Sequence, residues 1–471
     1  MKNIPPLHQK IFTLIADASE KLDRPVYIIG GYVRDYYLNR LKEGVMDLDF
    51  VTVGSGIDLA KKVAGKIEGS SLSIYKQFGT AQVKAGELEL EFVGARKESY
   101  RKNSRKPIVE DGTLEDDQLR RDLTINALSW SLNKDNYGAL IDPFGGMEDL
   151  ENKIVKTPID PHQTFDDDPL RMMRAIRFAS QLDFRIEEKT FDAITDMAER
   201  INIISKERVI DELNKIIMSD NPTLGFTMLF KTGLLEKFFP EMHELHGVKE
   251  IDGVRHKDNF WHTLKVLENV IELGADLWLR WAAIMHDIAK PPTQRFHKKA
   301  GWTFHGHDAL GAKWTKRIFR RLGLPLDERM RYVRKLVRLH LRPIALVSDE
   351  VSDSAIRRLI YEAGDDIDDL MKLCRADITT KNEYKQEKYQ NNFDYVEQRI
   401  KEVEEKDRIR KWKNPLSGEE IMEVLDIKPS KTVGSVKEAV KEAILNGEIP
   451  NEHDAAFNYM IEHKNDFLNN G

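Results

Sequence analysis

Apolar positions change their period about a third of the way along the chain. Up to about residue 150 they fall in short runs bounded by glycine. Val26-Tyr27-Ile28-Ile29 leads into Gly30-Gly31, Leu48 to Val53 forms a second run, and Glu87 to Val93 alternates as ELELEFV. Short β-branched runs and period-two alternation predict strands, and YVRDYYLNRL after Gly31 predicts a helix. From about Pro169 onward apolar residues recur every three or four positions, which predicts helices almost throughout. Breaks are expected near Asp220-Asn221-Pro222, at Pro291-Pro292, at Gly323-Leu324-Pro325 and near Asn414-Pro415. The pattern predicts a mixed α/β head over residues 1–150, a helical neck over 151–225, a helical module over 226–400 and a charged helical tail over 401–471.

Composition refines this picture. A chain of 471 residues is too long for one ordinary core, and 41% hydrophobic with 32% charged residues is a globular balance. The net charge of −6 does not mark a dedicated nucleic-acid binder, so any RNA contact must come from local patches. Arg329, Arg331, Arg334, Lys335, Arg338 and Arg342 crowd one stretch, with Lys313, Lys316, Arg317, Arg320 and Arg321 just before it. On charge pattern alone these are a solvated helix face. The single cysteine, Cys374, excludes an intramolecular disulfide framework and thiolate zinc sites, and suits a reducing cytoplasm. The N-terminus lacks a signal-peptide core, and no stretch approaches the roughly 18 apolar residues of a spanning helix. The expectation is a cytoplasmic protein with no membrane partner; the sequence carries no signal for an oligomeric state.

Two constellations carry chemistry. Asp47 and Asp49, two apart at the start of a strand, project from one face. That spacing suits hard cations about 3.5–4 Å apart on oxygen ligands, as phosphoryl transfer requires. A lone Asp-x-Asp is usually a surface loop. Here Gly30-Gly31 ends a strand and opens a helix, where bare N–H groups can approach a triphosphate, and Arg34 follows within a turn. No G-x-x-x-x-G-K-[ST] is present, so a P-loop is not supported. In the second constellation, His286-Asp287 is a doublet on the apolar WLRWAAIMHDIAKPPT, and His262 and Asp377 are candidates to complete a metal site with it. HGHD follows at His305 to Asp308. Farther up the chain, Asp168 is a good N-cap and Pro169 a good first helical residue. Arg171, Arg174 and Arg177 then recur on one face, with Ile176, Phe178 and Ala179 free to pack away from it.

GGYVRD (Gly30 to Asp35) followed by DLD (Asp47 to Asp49) resembles the nucleotidyltransferase motif of the polymerase-β superfamily. RRDLTINALS (Arg120 to Ser129), DDDPLRMMRAIRFASQLDF (Asp166 to Phe184) and SKERVIDELNKII (Ser205 to Ile217) narrow the likeness to the bacterial class II tRNA nucleotidyltransferase and poly(A) polymerase family. The resemblance implies that Asp47 and Asp49 hold Mg²⁺, with Glu91 as third carboxylate and Glu89 competing for that place. It implies that Arg121 and Asp122 contact ribose, supported by Asn126. Asp167, Asp168 and Arg171 would read the Watson–Crick edge of CTP or ATP, with Arg174 beside them. Carboxylates accept from the exocyclic amine shared by cytosine and adenine, and arginine donates to the ring acceptor. The family usually has Glu-Asp where this chain has Asp167-Asp168, one methylene shorter. The polar stretch Gly94 to Gly112 resembles the loop that helps such enzymes switch from C to A.

The H…HD…D pattern of His262, His286, Asp287 and Asp377 resembles the HD superfamily of metal-dependent phosphohydrolases over about residues 256–380. Lys290, His307 and His340 would be accessory, the histidines completing a second metal site or binding phosphate. The metal's identity is left open. The implied activity is phosphatase or cyclic phosphodiesterase action, for example at a damaged tRNA 3′ end; some HD domains are regulatory instead. The tail, Pro415 to Asn451, resembles the family's tRNA-facing portion, where Gly434 would allow close packing; a simple helical packing unit is the alternative. The expected function is addition of C, C and A to the tRNA 3′ end. The alternatives are a poly(A) polymerase, an A-adding or CC-adding specialist, and an HD phosphohydrolase with an RNA-binding head.

Overall fold

The computed structural model describes residues 4–41, 47–99, 108–346, 352–380, 382–407 and 412–469. The chain forms two compact units, Met1–Phe238 and Phe239–Gly471.

In the first unit, strands β1 (Val26–Ile29), β2 (Asp47–Thr52), β3 (Ser71–Tyr75), β4 (Thr80–Ala85) and β5 (Leu88–Gly94) join Ser129–Ser131 and Leu140–Ile141 in a seven-stranded mixed sheet. Its order is β3-β4-β5-β2-β1, then Ser129–Ser131 and Leu140–Ile141. The β2–β5 pair is parallel and the other neighbours are antiparallel. Alternation in β2 and β5 sends Leu48, Phe50, Leu90 and Phe92 into the core and places Asp47, Asp49 and Glu91 on the other face. Phe50 stacks on Phe92 at 5.2 Å, and Phe12 of helix α1 (Pro6–Glu20) meets Phe50 edge-on at 6.0 Å. This wedge fixes the strand pair whose opposite face carries the carboxylates.

Three strand-like runs were expected, and the sheet has seven strands. β3 (SLSIY) and β4 (TAQVKA) do alternate, but each is a short run with only two or three apolar residues among polar ones, and β3 lies largely exposed at the sheet edge. The stretch Gly94 to Gly112, expected as a loop, is paired at both ends: Arg96–Ser99 runs antiparallel to Ile108–Asp111. Residues 100–107 lie outside the described residues. The expected helix cap is shifted by a residue. Helix Leu170–Leu182 has Pro169 at its cap position, and Asp168 sits one residue earlier, its Oδ1 accepting the Leu170 N–H at 3.1 Å.

The second unit is helical with two small hairpins that the periodicity did not announce, Glu250–Ile251 with Val254–Arg255 and Arg295–His297 with Gly301–Thr303. Helix Leu277–Met285 stops one residue short of His286, so the His-Asp doublet lies in the turn beyond the helix. Pro291 and Pro292 stand in the first turn of a new short helix, Lys290–Thr293. The tail helices Gly418–Leu425, Lys431–Asn446 and His453–Glu462 share a core of their own built on Ile421, Val436, Val440, Ile444 and Met460. Gly434 faces open space, so the close approach expected of it is not made. One tail helix is nonetheless anchored to Asp353–Ala363: Arg358 donates to Glu442 at 2.6 Å and Asn446 at 2.8 Å, and Gly447 lies against the Arg357 guanidinium.

Candidate functional sites in the two units

In the first unit the parallel register sets Asp47 beside Glu89 and Asp49 beside Glu91. The two glutamates differ in what they already hold. Glu89 accepts from Gln82 Nε2 at 3.0 Å and from Lys84 Nζ at 2.9 Å. Glu91 instead faces Asp49: burial, then the neighbouring Asp49 carboxylate, push its carboxyl above the usual range. Asp49 is raised by burial and by Asp47, against the pull of Arg121. Two carboxyls both pushed up by crowding form a donor set that a hard cation would relieve. Asp49 and Glu91 are thus a pair that a cation would relieve, although the carboxylate oxygens of Asp47, Asp49 and Glu91 do not all lie within 4.8 Å of one another.

Gly30 borders the same place. Its φ is +83°, and a methyl group on it would lie 3.3 Å from the Arg121 guanidinium and 3.9 Å from Asp49 Oδ2. The Arg121 Nε is buried without a hydrogen-bond partner among the described residues, while its other end reaches Asp117 Oδ2 at 3.3 Å. Gly31 opens helix α2 (Gly31–Tyr37), whose Arg34 is buried and already engaged, donating to Asp35 at 2.8 Å and Asn126 Oδ1 at 2.7 Å.

From Arg34 a polar chain runs on. Asn126 Nδ2 donates to Asp122 Oδ1 at 3.1 Å, and Arg174 Nε donates to Asp122 Oδ2 at 2.7 Å. Burial alone would raise Asp122; the Arg174 cation and the Asn126 amide outweigh it and hold the carboxyl at about 2. The arginines that recur along helix Leu170–Leu182 are thus engaged cations. Arg177 is buried and donates to Glu212 at 2.6 Å, and Arg171 NH2 donates to the Arg120 carbonyl at 2.7 Å. Phe178 does not pack away from them, for the Arg34, Arg174 and Arg177 guanidiniums lie 4.8, 5.6 and 4.0 Å from its ring centroid. Asp168 is held by Arg208 at 2.9 Å, a residue of the neck helix Lys206–Ile217 that sequence reasoning passed over. Arg208 and Glu212 lie four apart on that helix, a spacing that shares a face and offered the signal. Asp167 is half-buried at the end of helix Pro161–Asp167.

In the second unit four imidazoles and two carboxylates converge. His262 Nε2 lies 2.9 Å from Asp377 Oδ1 and 3.4 Å from Asp287 Oδ2, and His286 Nε2 lies 3.2 Å from Asp287 Oδ2. On the other side His307 Nε2 is 3.2 Å from Asp287 Oδ1 and 3.3 Å from His340 Nε2. Lys290 Nζ closes on Asp287 Oδ2 at 2.5 Å. His305 is exposed.

The outer nitrogens define the tautomers. Nδ1 of His286, His307 and His340 faces the carbonyls of Ala283, Phe304 and Val337 at 2.6, 2.7 and 2.8 Å. A carbonyl only accepts, so each Nδ1 carries a proton and each Nε2, the atom a metal would take in place of any second proton, points inward. His262 Nδ1 sits 3.0 Å from Thr379 Oγ1, a supporting residue missed in the sequence. Nε2 of His286 is buried without a well-directed hydrogen bond. Burial would lower His286, but the Asp287 and Asp377 carboxylates raise it to about 10; burial and then charged His286 hold His340 near 4. Inward lone pairs around shared carboxylates fit a divalent metal, with His262, His286 and Asp287 forming one ligand group and Asp287, His307 and His340 another.

A mixed-sheet head with strand-borne carboxylates beside a glycine turn defines a nucleotidyltransferase, here joined to an HD-type module. Comparison agrees segment by segment: residues 26–156 match the poly A polymerase head domain, 183–245 the probable RNA and SrmB-binding site of polymerase A, and 259–382 the HD domain. The A-adding tRNA nucleotidyltransferase of Deinococcus radiodurans is 30% identical over 439 residues, covering 91% of this chain and 93% of that protein. A multifunctional CCA protein of Shewanella frigidimarina is 33% identical over 311 residues, 64% of this chain and 71% of that one. The chain belongs to the tRNA nucleotidyltransferase and poly(A) polymerase family. Its fold matches the apo form II of a CCA-adding enzyme with a TM-score of 0.65 at 21% identity, covering 98% of this chain and 97% of that one. It also matches the Thermotoga maritima CCA-adding enzyme complexed with tRNA, with a TM-score of 0.61 at 20% identity and the same two coverages. No helix among the described residues is long and apolar enough to cross a membrane.

Proposed function

We propose that this protein adds C, C and A to the 3′ end of tRNA from CTP and ATP, and that its second unit hydrolyses phosphate esters. The observation that carries the first part is the register of β2 and β5, which sets Asp49 beside Glu91 within reach of Gly30 and Arg121. Mg²⁺ on Asp47, Asp49 and Glu91 would supply the positive charge that offsets the triphosphate and the departing pyrophosphate. The Gly30 N–H is held by the Leu128 carbonyl at 3.0 Å, so it is Gly31, the first residue of α2, that would offer its backbone N–H to the phosphates, and the half-free Arg121 guanidinium faces the same space. Asp122, with Asn126 and Arg174 behind it, presents an ionised carboxylate toward ribose. Asp168, oriented by Arg208, and Asp167 accept from the exocyclic amine of the base. Arg171, steadied by the Arg120 carbonyl, donates to the ring acceptor. Glu91 rather than Glu89 is the third carboxylate, since Glu89 is neutralised by Lys84. The boundaries that go with this reading are a head to about residue 150, a neck to 225, an HD module to 400 and a tail. Action on tRNA goes with a cytoplasmic location.

The full-length likeness to a relative named for A addition favours a second reading, an A-adding specialist. End-labelled extension of a tRNA lacking CCA separates the two. Two residues added with CTP alone, then a single A, is the expected result. One A added only to a tRNA already ending in CC would establish the specialist. Open-ended A addition would mark a poly(A) polymerase.

For the second unit, His262, His286, Asp287 and Asp377 would hold a divalent metal, with His307 and His340 completing a second position. A metal there would supply a Lewis acid toward a phosphate ester. Lys290, with its ammonium on Asp287 and facing the Phe304 ring at 5.5 Å, keeps positive charge at the mouth.

A further inference from the structure

The basic stretch noted in the sequence is not a uniform solvated face. Helices His307–Leu322 and Glu328–Leu339 pack side by side, and an open cleft of about 760 Å³ is lined by Lys313, Arg331, Arg334, Lys335, Arg338 and Arg342. Among the described residues Glu362 is the one acid in its lining. Three of the cations are partly neutralised: Lys335 reaches Asp366 at 2.7 Å, Arg338 binds Asp308, and Arg342 lies 3.9 Å from Glu362. Arg331 has only a 3.6 Å approach to exposed Glu328. No partner is found among the described residues for Arg334 or Lys313, and both are exposed.

We propose that this cleft is a binding site for the phosphodiester backbone of a structured RNA, on the HD module and separate from both carboxylate-bearing centres. Three features set the ligand class. Arg331, Arg334 and Arg338 recur at three and four residues, so they form one row about 10 Å long at 1.5 Å per residue. A row of that length spans more than one phosphate. The lining has no aromatic ring to stack a base, and its only apolar side chains are Ala312 and Leu339. Small-ligand pockets are mostly apolar with a few placed polar groups, whereas backbone recognition needs cations alone. Finally, one end of the row abuts the metal-ligand cluster. Arg338 binds Asp308, the neighbour of His307, and Leu339 directly precedes His340. RNA lying along the row is therefore led toward that cluster. The binding claim stands whether or not the cluster hydrolyses anything.

The test is fluorescence anisotropy of a labelled, blunt 12-base-pair RNA duplex on the full-length protein across a salt series. The doubly reversed variant Arg331→Glu with Arg334→Glu should bind at least tenfold more weakly, with a salt dependence flatter by about one to two units of log Kd against log salt. Arg329→Glu on the same helix is the control, because Arg329 lies outside the cleft lining and is paired to Asp327 at 2.6 Å. It should lose less than threefold. Equal losses for the control and the double variant, or no loss in the double variant, would overturn the proposal. So would displacement of the duplex by pyrophosphate at micromolar concentration, which would make this a small-phosphate site. A thermal melting curve of the double variant that overlays that of the wild type shows that it is folded.

Discussion

At Gly30 the backbone turns with a φ of +83°, where an L side chain is strained by roughly 1–2 kcal/mol, and a methyl group would press on Arg121. Gly30→Ala is therefore expected to lose about 1–2 kcal/mol in urea unfolding. Nucleotide addition should fall much further, at least a hundredfold in kcat/KM, because the displaced guanidinium faces Asp49 and Glu91. Equal, small losses in both would argue against a nucleotide beside Gly30. Asp122 gives a pH-dependent prediction. Its folded pKa is depressed from 3.8 to about 2, so its stabilisation is complete above the unfolded value and is lost as pH falls through the folded one. The carboxylate contributes about 2 kcal/mol at pH 6 by linkage. The stability gap between wild type and Asp122→Asn should shrink to about half of that by pH 3. A gap that stays constant over this range would mean that Asp122 is not the ionised partner of Arg174.

The helix Leu170–Leu182 shows how an element is held by residues far from it in sequence. Arg177 is paired to Glu212, 35 positions on, and Arg174 to Asp122, 52 positions back. Arg208 crosses from the neck helix to Asp168 in the same way. Because the Arg208–Asp168 pair is half-exposed, it contributes little to stability, about 0–1 kcal/mol. Its role is to aim a carboxylate. Arg208→Ala should leave the melting temperature almost unchanged while raising KM for CTP and ATP severalfold; a loss of stability with unchanged KM would make the pair merely structural.

These pairings also explain what the sequence could and could not disclose. β1, β2 and β5 were legible because alternation writes a buried face directly into the residue order, and the two aspartates follow from that alternation. The H…HD…D residues were legible as ligand types and do converge. The partners of Arg174 and Arg177 were not legible, because Asp122 and Glu212 lie 52 and 35 residues away, beyond any local periodicity. β3 was missed because its alternation rests on two apolar residues alone, Leu72 and Ile74, in a short run at the exposed edge of the sheet. Thr379 and Arg208 carried no marking of their own; each acquires its place from a partner that only the fold brings near.

At the scale of the molecule, the chain's two compact units each enclose one constellation of ionisable groups. Every side chain named at the HD cluster comes from the second unit, and every nucleotide-facing residue comes from the first. The chemistry should be separable in the same way. The double variant His286→Ala with Asp287→Ala should keep nucleotide addition within about twofold of wild type and lose phosphohydrolase activity on a chromogenic phosphodiester. Hydrolysis that survived in that variant would mean that the second centre lies elsewhere.

The anchoring of the tail on Asp353–Ala363 has a consequence for reach. A flexible extension samples a broad range of end-to-end distances, growing with the square root of its length. A helical extension bolted at Arg358 and Gly447 samples almost none. A molecule gripped there would thus be presented to the second unit at one set separation: the tail would work as a ruler and not as a tether, and lengthening it would change which position along that molecule is measured off.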